Sequence, residues 1–321
     1  MAGWAEKQLA TRKKEGDAVP VADVCAVIDL GSNSFRLELA RAEGGEKRRL
    51  LYCKETIRLG AGLDEEKNLT PEALRNGWDC LRRFAQVLAE QRPARIRAVA
   101  TQTLREAQNA AEFQRKAEKI LGCPLHIISG GEEGRLIYQG ACTRLPDASE
   151  ERLVIDIGGR STEVILGQGR QARVLQSFAI GAVSASLQHF AQGRFSAEAF
   201  AQARAAAVAV FAPALTHYPR TAWRAAYGSA GTINAVSSVL QGAGLGGDVI
   251  HLEHLHWLQE RLIHAGSVKN LQLAKLKEDR KALIGGGLSV LLGLFEAFEI
   301  ETLTVTSGAL RDGVFAELSQ C

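Results

Sequence analysis

The order of apolar and polar positions predicts two similar halves in this chain. A strand over residues 21–30 is followed by one over 34–41 and by a third in RRLLYCKETIRL, which is typical of a β-meander. A second meander begins at Leu153, in LVIDIGGRSTEVILGQGRQARVLQSFAIG. In each half, alternating helices and strands follow the meander. The pattern therefore predicts an α/β protein whose two domains are of the same type and face each other across a cleft.

Helical signals occupy the segments between these strands. Thr70 suits an N-cap, Pro71 suits the first helical position, and apolar residues then recur at helical spacing up to Leu88. The longest apolar run, ALIGGGLSVLLGLFEAF, contains three consecutive glycines and Glu296, so it predicts a buried helix and no membrane span. Further helices are predicted over residues 106–121, 183–189, 196–215 and 252–265, and from the glycines of GGEEGRLIYQGACTRL.

One short phrase occurs in both halves, with Asp29 in VIDLGSNS and Asp156 in VIDIGGRST. The two aspartates are separated by about the length of one domain. Small residues behind a strand leave backbone N–H groups that can surround an anion. An aspartate beside that anion is favourable when a divalent cation lies between them. The repeated turn, together with the small-residue turn GSAGT at 228–232, therefore indicates a phosphate site that uses a metal ion.

Composition narrows the classes of function. The 321 residues are enough for two domains, and 46% apolar with 23% charged residues is typical of a globular protein. The net charge of +3 does not favour a nucleic-acid-binding protein. The six cysteines form no C-x-x-C pair, which is typical of reduced thiols in the cytoplasm. Residues 1–20 lack the apolar core of a secretory signal and are predicted to form a flexible arm. We therefore expect a cytoplasmic protein with neither a nucleic-acid nor a membrane partner.

Five motifs in order carry a resemblance to a known family. VIDLGSNSFRLELA, ATQTLREAQNA, IISGGEEGRLIYQGA, VIDIGGRSTEVILG and SGALRDGV together resemble the exopolyphosphatase and guanosine pentaphosphate phosphohydrolase (Ppx/GppA) family, in its short form. The resemblance extends over about residues 21–318. It implies two duplicated ribonuclease-H-like domains, of the actin-like ATPase type, that flank a cleft. We expect these domains at residues 21–136 and 137–321, with the last helix packing back on the first domain.

The resemblance also implies roles for the residues at matching positions. The first loop, residues 31–34, and the second loop, residues 158–162, are expected to hold phosphate oxygens, and the turn at 228–232 is grouped with them. Mg²⁺ is expected at Asp29, Asp156 and Glu163, directly or through water. The expected phosphate ligands are Gly31, Ser32, Asn33, Ser34, Gly158, Gly159, Arg160, Ser161, Thr162, Gly228, Ser229, Gly231 and Thr232.

Two residues are expected to act on the reacting phosphate. Glu133 matches the carboxylate that would orient the attacking water and take its proton, although Glu132 beside it is a rival on sequence alone. Arg105 matches an arginine that would stabilise charge developing on the phosphate oxygens. The chain departs from the family pattern at Arg160, where a third glycine is usual, and at Ser307, where aspartate is common.

The motifs favour Mg²⁺-dependent release of terminal phosphate from inorganic polyphosphate. Removal of the 5′ γ-phosphate of guanosine pentaphosphate (pppGpp) is the nearest alternative. An ATP-dependent kinase and a non-enzymatic actin-like scaffold are the other hypotheses, and a homodimer is among the expected assemblies. The histidines of HLEHLH do not share one helix face, so the sequence does not favour a zinc site there.

Overall fold

The computed structural model describes residues 23–44, 46–145 and 149–320, so the arm predicted at 1–20 lies outside the described residues. The first lobe is built on a five-stranded sheet in the order β3-β2-β1-β4-β5. The meander predicted from the sequence is confirmed, since β2 pairs with both of its neighbours in antiparallel register. The strands are β1 (Val24–Leu30), β2 (Ser34–Glu43), β3 (Glu46–Thr56), β4 (Arg95–Ala100) and β5 (Leu125–Ile127).

Where the first half of the chain is described, over residues 23–44 and 46–145, its α-helices are α1 (Pro71–Gln91), α2 (Gln102–Glu106), α3 (Ala110–Leu121) and α4 (Gly130–Cys142). The predicted cap of α1 is confirmed, because Oγ1 of Thr70 accepts a hydrogen bond from the N–H of Ala73 at 3.3 Å. The single helix predicted over 106–121 is wrong at its start, because the chain leaves the helix between α2 and α3. There the Asn109 side chain bonds both the N–H and the carbonyl of Leu69, at 2.8 and 3.0 Å.

The second lobe repeats this plan on a six-stranded sheet in the order β10-β11-β9-β6-β7-β8. β6 pairs antiparallel with β7 and parallel with β9, just as β1 pairs with β2 and β4. The predicted α/β class with duplicated halves is therefore confirmed. The strands are β6 (Glu151–Ile157), β7 (Thr162–Gln168), β8 (Gln171–Phe178), β9 (Ala225–Ser229), β10 (Val249–His251) and β11 (Thr302–Val305).

Over residues 149–320 the second half contains the α-helices α5 (Ala182–His189), α6 (Ala197–Phe211), α7 (Ala230–Gly242), α8 (Leu252–Ala265), α9 (Glu278–Lys281), α10 (Ile284–Ala297) and α11 (Leu310–Gln320). The long apolar run forms α10, in which every residue from Ile284 to Phe295 is buried, as predicted. Within the described ranges, the stretch Ala197–His217 alone is long and apolar enough to cross a membrane by length and composition. Buried helices of globular domains pass the same test.

Helix α4 crosses helix α11 with the two backbones in contact. A Cβ placed on Gly140 would lie 2.0 Å from the carbonyl oxygen of Ala309, and one on Gly313 would lie 1.9 Å from that of Leu136. α11 also reaches the first sheet, where Nη1 of Arg95 donates to the carbonyl of Leu318 at 2.8 Å. The domain boundary predicted at 136/137 falls inside α4 and stays a prediction.

Candidate active site

The turns β1–β2 and β6–β7 meet between the two lobes and border a cavity of about 330 Å³. A Cβ on Gly159 would lie 2.8 Å from Cβ of Ser32, so the first and second loops are in direct contact. The structure thus places the two copies of the repeated turn side by side. The residues of the expected site that line the cavity are Asp29, Gly31, Ser32, Asn33, Ser34, Glu133, Asp156, Gly158, Gly159, Ser161, Ser229 and Gly231.

The backbone carbonyl groups of both loops accept hydrogen bonds that hold the loops in place. Ser32 and Asn33 accept hydrogen bonds from the backbone N–H groups of residues 57, 58 and 60, at 2.8–3.0 Å. Gly159 accepts from the N–H groups of residues 183 and 184, in the first turn of α5. Among the described residues, the N–H groups of Ser32, Asn33, Gly159 and Arg160 have no protein acceptor. Loops held in this way leave donors for an anion.

The carboxyl groups of Glu133, Asp156 and Glu163 lie close together at the cavity. Burial, followed by the charge of Glu163, raises the pKa of Glu133 well above its usual range, although Arg105 opposes this. Burial and the charge of Glu133 raise the pKa of Asp156 to about 7. Burial and the charge of Asp156 likewise raise the pKa of Glu163 to about 7. Like charges in a region of low dielectric constant therefore disfavour the simultaneous ionisation of all three groups.

Asp29 is in a different environment. Its Oδ2 atom accepts from Nη1 of Arg36 at 2.8 Å, directly across the β1–β2 pair, and from Nη1 of Arg311 at 3.3 Å. The matching position across the β6–β7 pair is occupied by Glu163, opposite Asp156. The two copies of the turn therefore carry opposite charges at one position.

Arg105 holds Glu133 and does not line the cavity. Its Nη1 atom donates to Oε2 of Glu133 at 2.7 Å and to the carbonyl of Ile128 at 2.9 Å. In the described part of the chain, Oε1 of Glu133 has no hydrogen-bond partner. Glu132 is turned away from the cavity, bonded to Arg135 at 2.8 Å by each of its oxygens. The geometry therefore separates two neighbours that the sequence could not distinguish.

Several residues of the expected site lie behind the cavity lining. Glu163 is buried and accepts from Oγ of Ser177 at 2.7 Å. Oγ1 of Thr162 donates to the carbonyl of Ile180 at 2.7 Å. Arg160 reaches the first lobe, where Nη2 lies 2.6 Å from Oε2 of Glu106. Two more, Gly228 and Thr232, pack against apolar neighbours: a Cβ on Gly228 would lie 2.7 Å from Ile233, and one on Gly287 would lie 2.5 Å from Cγ2 of Thr232.

A basic wall also lines the cavity, and none of its residues was among the expected site residues. The basic wall consists of Arg36, Lys54, Lys275, Lys277, Arg280 and Arg311. The guanidinium of Arg280 covers the start of α7, since a Cβ on Gly231 would lie 2.3 Å from its Nη2 atom. Burial, with a further contribution from Arg36, lowers the pKa of Arg280. The basic run KLKEDRK was the signal that could have drawn attention to half of this wall.

The carboxyl groups at the cavity fit a magnesium ion. Within the described segments, no three His, Cys, Asp or Glu side chains already converge as a complete ligand set. Mg²⁺ does not need one, because it keeps several waters and takes one or two carboxylates together with substrate phosphate oxygens. The Asp156 carboxylate lines the cavity and has no hydrogen bond or ion pair to the described residues. Asp156, Oδ1 of Asp29 and Glu163, through water, are the groups that would hold the ion.

Three solved structures of similar overall fold come from exopolyphosphatases and Ppx/GppA proteins. An exopolyphosphatase-like protein is 25% identical, with a TM-score of 0.82, over 93% of this chain and 97% of that one. An exopolyphosphatase from Cytophaga hutchinsonii is 21% identical, with a TM-score of 0.83, over 92% of this chain and 98% of that one. The Aquifex aeolicus member of the Ppx/GppA protein family is 24% identical, with a TM-score of 0.72, over 92% of this chain and 97% of that one.

A comparison of the sequence with family models gives a match to the Ppx/GppA phosphatase family over residues 40–320. That range includes Glu133, the second loop and most of the basic wall. With this match over most of its length, and with two duplicated lobes as its fold, the chain belongs to the Ppx/GppA phosphatase family.

Proposed function

We propose that this chain is a Mg²⁺-dependent exopolyphosphatase, which releases terminal orthophosphate from inorganic polyphosphate by attack of water. The observation that carries the proposal is that carboxyl groups and the basic wall line the same cavity. Asp29, Glu133 and Asp156 line it together with the six basic residues. A polyphosphate chain carries about one negative charge per phosphate, so it needs cations along its length and a metal at its reacting end.

The loops would bind the terminal phosphate. Ser32, Asn33 and Gly159 offer backbone N–H groups that the protein does not use. The start of α7, at Ala230 and Gly231, also lines the cavity and adds the positive end of a helix dipole. These donors are fixed before the substrate arrives, so little reorganisation would be needed as charge develops on the phosphate oxygens.

Glu133 would orient the attacking water and accept its proton. Arg105 holds one carboxylate oxygen, Oε2, at 2.7 Å, which leaves Oε1 free for the water. A pKa raised by burial makes this carboxylate a stronger base than an exposed glutamate. When bound, Mg²⁺ supplies positive charge to the phosphate oxygens and to the neighbouring carboxylates.

The basic wall would hold the phosphate units beyond the reacting one. Lys275 and Lys277 are exposed at the cavity, whereas Arg280 and Arg311 are partly or largely buried. Exposed lysines bind phosphate as point charges that are sensitive to salt. Asn234 and Ser238 also line the cavity, and they offer amide and hydroxyl groups of the type that bind a ribose or a base. They are the observation that favours pppGpp as a second candidate substrate.

The test is phosphate release with Mg²⁺ from long-chain polyphosphate and from pppGpp, offered separately. Glu133→Gln should lose at least about 100-fold of the activity. Glu132→Gln is the matched control, because its side chain is bonded to Arg135 outside the cavity, and it should keep the wild-type rate. Faster release from pppGpp than from polyphosphate would identify pppGpp as the preferred substrate. No release from either, or equal activity of wild type and Glu133→Gln, would contradict the proposal and favour a kinase or a scaffold.

A further inference from the structure

Arg160 fastens the second loop to the first lobe. Its Nη2 and Nε atoms lie 2.6 and 3.2 Å from Oε2 of Glu106, in α2. Its Nη1 atom donates to the carbonyl of Gly60 at 3.0 Å. Gly60 provides the space for this side chain, because a Cβ there would lie 2.7 Å from Cδ of Arg160. The side chain of Arg160 is 18% exposed and that of Glu106 is 16% exposed, so both partners are largely shielded from water.

The contacts continue from Glu106 to the proposed water activator. Oε1 of Glu106 accepts from Nε2 of Gln102 at 2.7 Å. Oε1 of Gln102 accepts from Nη2 and Nε of Arg105, at 2.6 and 3.0 Å. Arg105 then donates to Glu133 at 2.7 Å. Five side chains thus form an unbroken chain of hydrogen bonds from the second loop to the buried carboxylate.

The amide of Gln102 makes this chain directional. An amide offers a donor on nitrogen and an acceptor on oxygen, whereas a carboxylate only accepts and a guanidinium only donates. Only one orientation of the Gln102 amide therefore satisfies both Glu106 and Arg105. Glu106 fixes that orientation, and Arg160 fixes Glu106 by neutralising its charge. Loss of either residue would allow the amide to rotate and Arg105 to move with it.

We propose that Arg160 and Glu106 are positioning residues that couple the docking of the second loop to the alignment of Glu133 by Arg105; the proposal rests on the proposed function. The nearest competing role is direct phosphate binding by Arg160. The side chain of Arg160 is absent from the cavity lining, and its donors are already used by Glu106 and Gly60. A glycine, which the family resemblance implies as the usual residue at this position, has no side chain that could make the contact.

The kinetic test compares single and double variants with wild type, under the conditions of the phosphate-release assay. Arg160→Gly and Glu106→Gln should each lower kcat about tenfold while KM changes less than about twofold, because both act on alignment and not on binding. The double variant should also lose about tenfold, since the second change acts on a chain already broken. Arg160→Lys keeps a cation for Glu106 and should regain part of kcat.

The matched control is Glu55→Gln. Glu55 accepts from Nε of Arg83 at 2.8 Å, so this variant also breaks an Arg–Glu pair of the first lobe, but neither residue lines the cavity. It should keep both the wild-type kcat and KM. Losses that multiply to about 100-fold in the double variant, or a raised KM with unchanged kcat, would overturn the coupling.

A second readout does not depend on activity. The ¹⁵N–¹H signal of Nε of Arg105, identified by its loss in Arg105→Lys, should shift in Arg160→Gly and in Glu106→Gln but not in Glu55→Gln. If wild type releases no phosphate from either substrate, the proposed function fails, while a shifted signal still supports the coupling between Arg160 and Arg105. An unmoved Arg105 signal in both variants overturns the coupling, whatever the rate of phosphate release.

Discussion

Arg311 and Asp29 are 282 positions apart in the sequence, yet Nη1 of Arg311 lies 3.3 Å from Oδ2 of Asp29. Nε of Arg311 also donates to Oε2 of Glu38 at 3.1 Å, and Lys47 lies 2.7 Å from the other oxygen of that glutamate. The first turn of α11 therefore packs against strands β1 and β2. The last helix of the chain contributes directly to the charge balance of a site that begins at its first strand.

Arg311→Met should lower the free energy of unfolding by about 3 kcal/mol, because Asp29 and Glu38 would remain buried with one cation fewer. Urea denaturation of wild type and variant measures this difference. Arg82→Met is the control, since Arg82 pairs with Asp79 at an exposed position, and it should change stability by less than about 0.5 kcal/mol. Equal losses in the two variants would contradict the assignment of a buried charge network to Arg311.

In the metal-free protein, the buried carboxyl groups should make stability depend on pH. Burial and the charge of Glu133 raise the pKa of Asp156 from 3.8 to about 7, and burial with Asp156 raises that of Glu163 from 4.5 to about 7. A carboxyl whose pKa is higher in the folded state stabilises that state fully below its unfolded pKa. This contribution is lost as the pH rises through the folded value. In EDTA, Tm should therefore fall between pH 5 and pH 7.5, about the window that these values define.

Asp156→Asn should flatten this dependence. Glu38 does not interfere: burial raises its pKa, but Lys47, with Arg311 and Arg49, lowers it to about 2, so its stabilisation is lost only as the pH falls below 4.5. Mg²⁺ at pH 7.5 should raise Tm of wild type more than that of Asp156→Asn. A Tm that is constant or rises between pH 5 and 7.5 would show that these carboxyl groups do not repel one another in the folded state.

Lys277→Gln tests the basic wall. This lysine is exposed at the cavity, so its removal should raise KM for long-chain polyphosphate about threefold at low salt, with little change in kcat. The difference from wild type should shrink as salt is added, because screening weakens exposed charges. Lys119→Gln, which changes an exposed lysine of α3 outside the cavity, should leave KM unchanged. A lower kcat with an unchanged KM would count against a role in substrate binding.

Gly140→Ala tests the backbone contact between α4 and α11. The added methyl group would lie 2.0 Å from the carbonyl oxygen of Ala309, so the helices must separate, at a cost of about 3 kcal/mol in urea denaturation. Gly131→Ala, on the same helix, is the control. Its Cβ would meet no atom closer than 3.7 Å, and alanine is the better helix former, so this variant should be neutral or more stable. Similar losses in both variants would point to a general effect of substitution in α4.

The local elements of this fold could be predicted from the sequence because local patterns determine them. The order of apolar and polar positions predicted the two meanders. The repeated Asp-x-Gly turn predicted that two loops would share a site. The helix predicted over 106–121 failed at its start because Asn109 bonds Leu69, 40 positions earlier, and no local pattern contains that contact.

The direction of each site side chain was beyond prediction for the same reason. Arg160 lies in the second loop, and its guanidinium is held by Glu106, 54 positions away, which no local pattern shows. Arg36 and Lys54 were missed because the strands that carry them read as ordinary members of a meander. The roles expected for Glu133, Arg105 and the Mg²⁺ ligands stay predictions, and the experiments above test them.

The two copies of the turn differ in the residue that faces the aspartate, which is arginine in the first hairpin and glutamate in the second. Asp29 faces Arg36 and shares its charge with two guanidinium groups, whereas Asp156 faces Glu163. A divalent cation would therefore be drawn towards the second hairpin, and a bare phosphate tail towards the first. A linear anion in such a groove would meet different charges at its two ends, so the two copies of the turn would set the orientation in which the substrate lies.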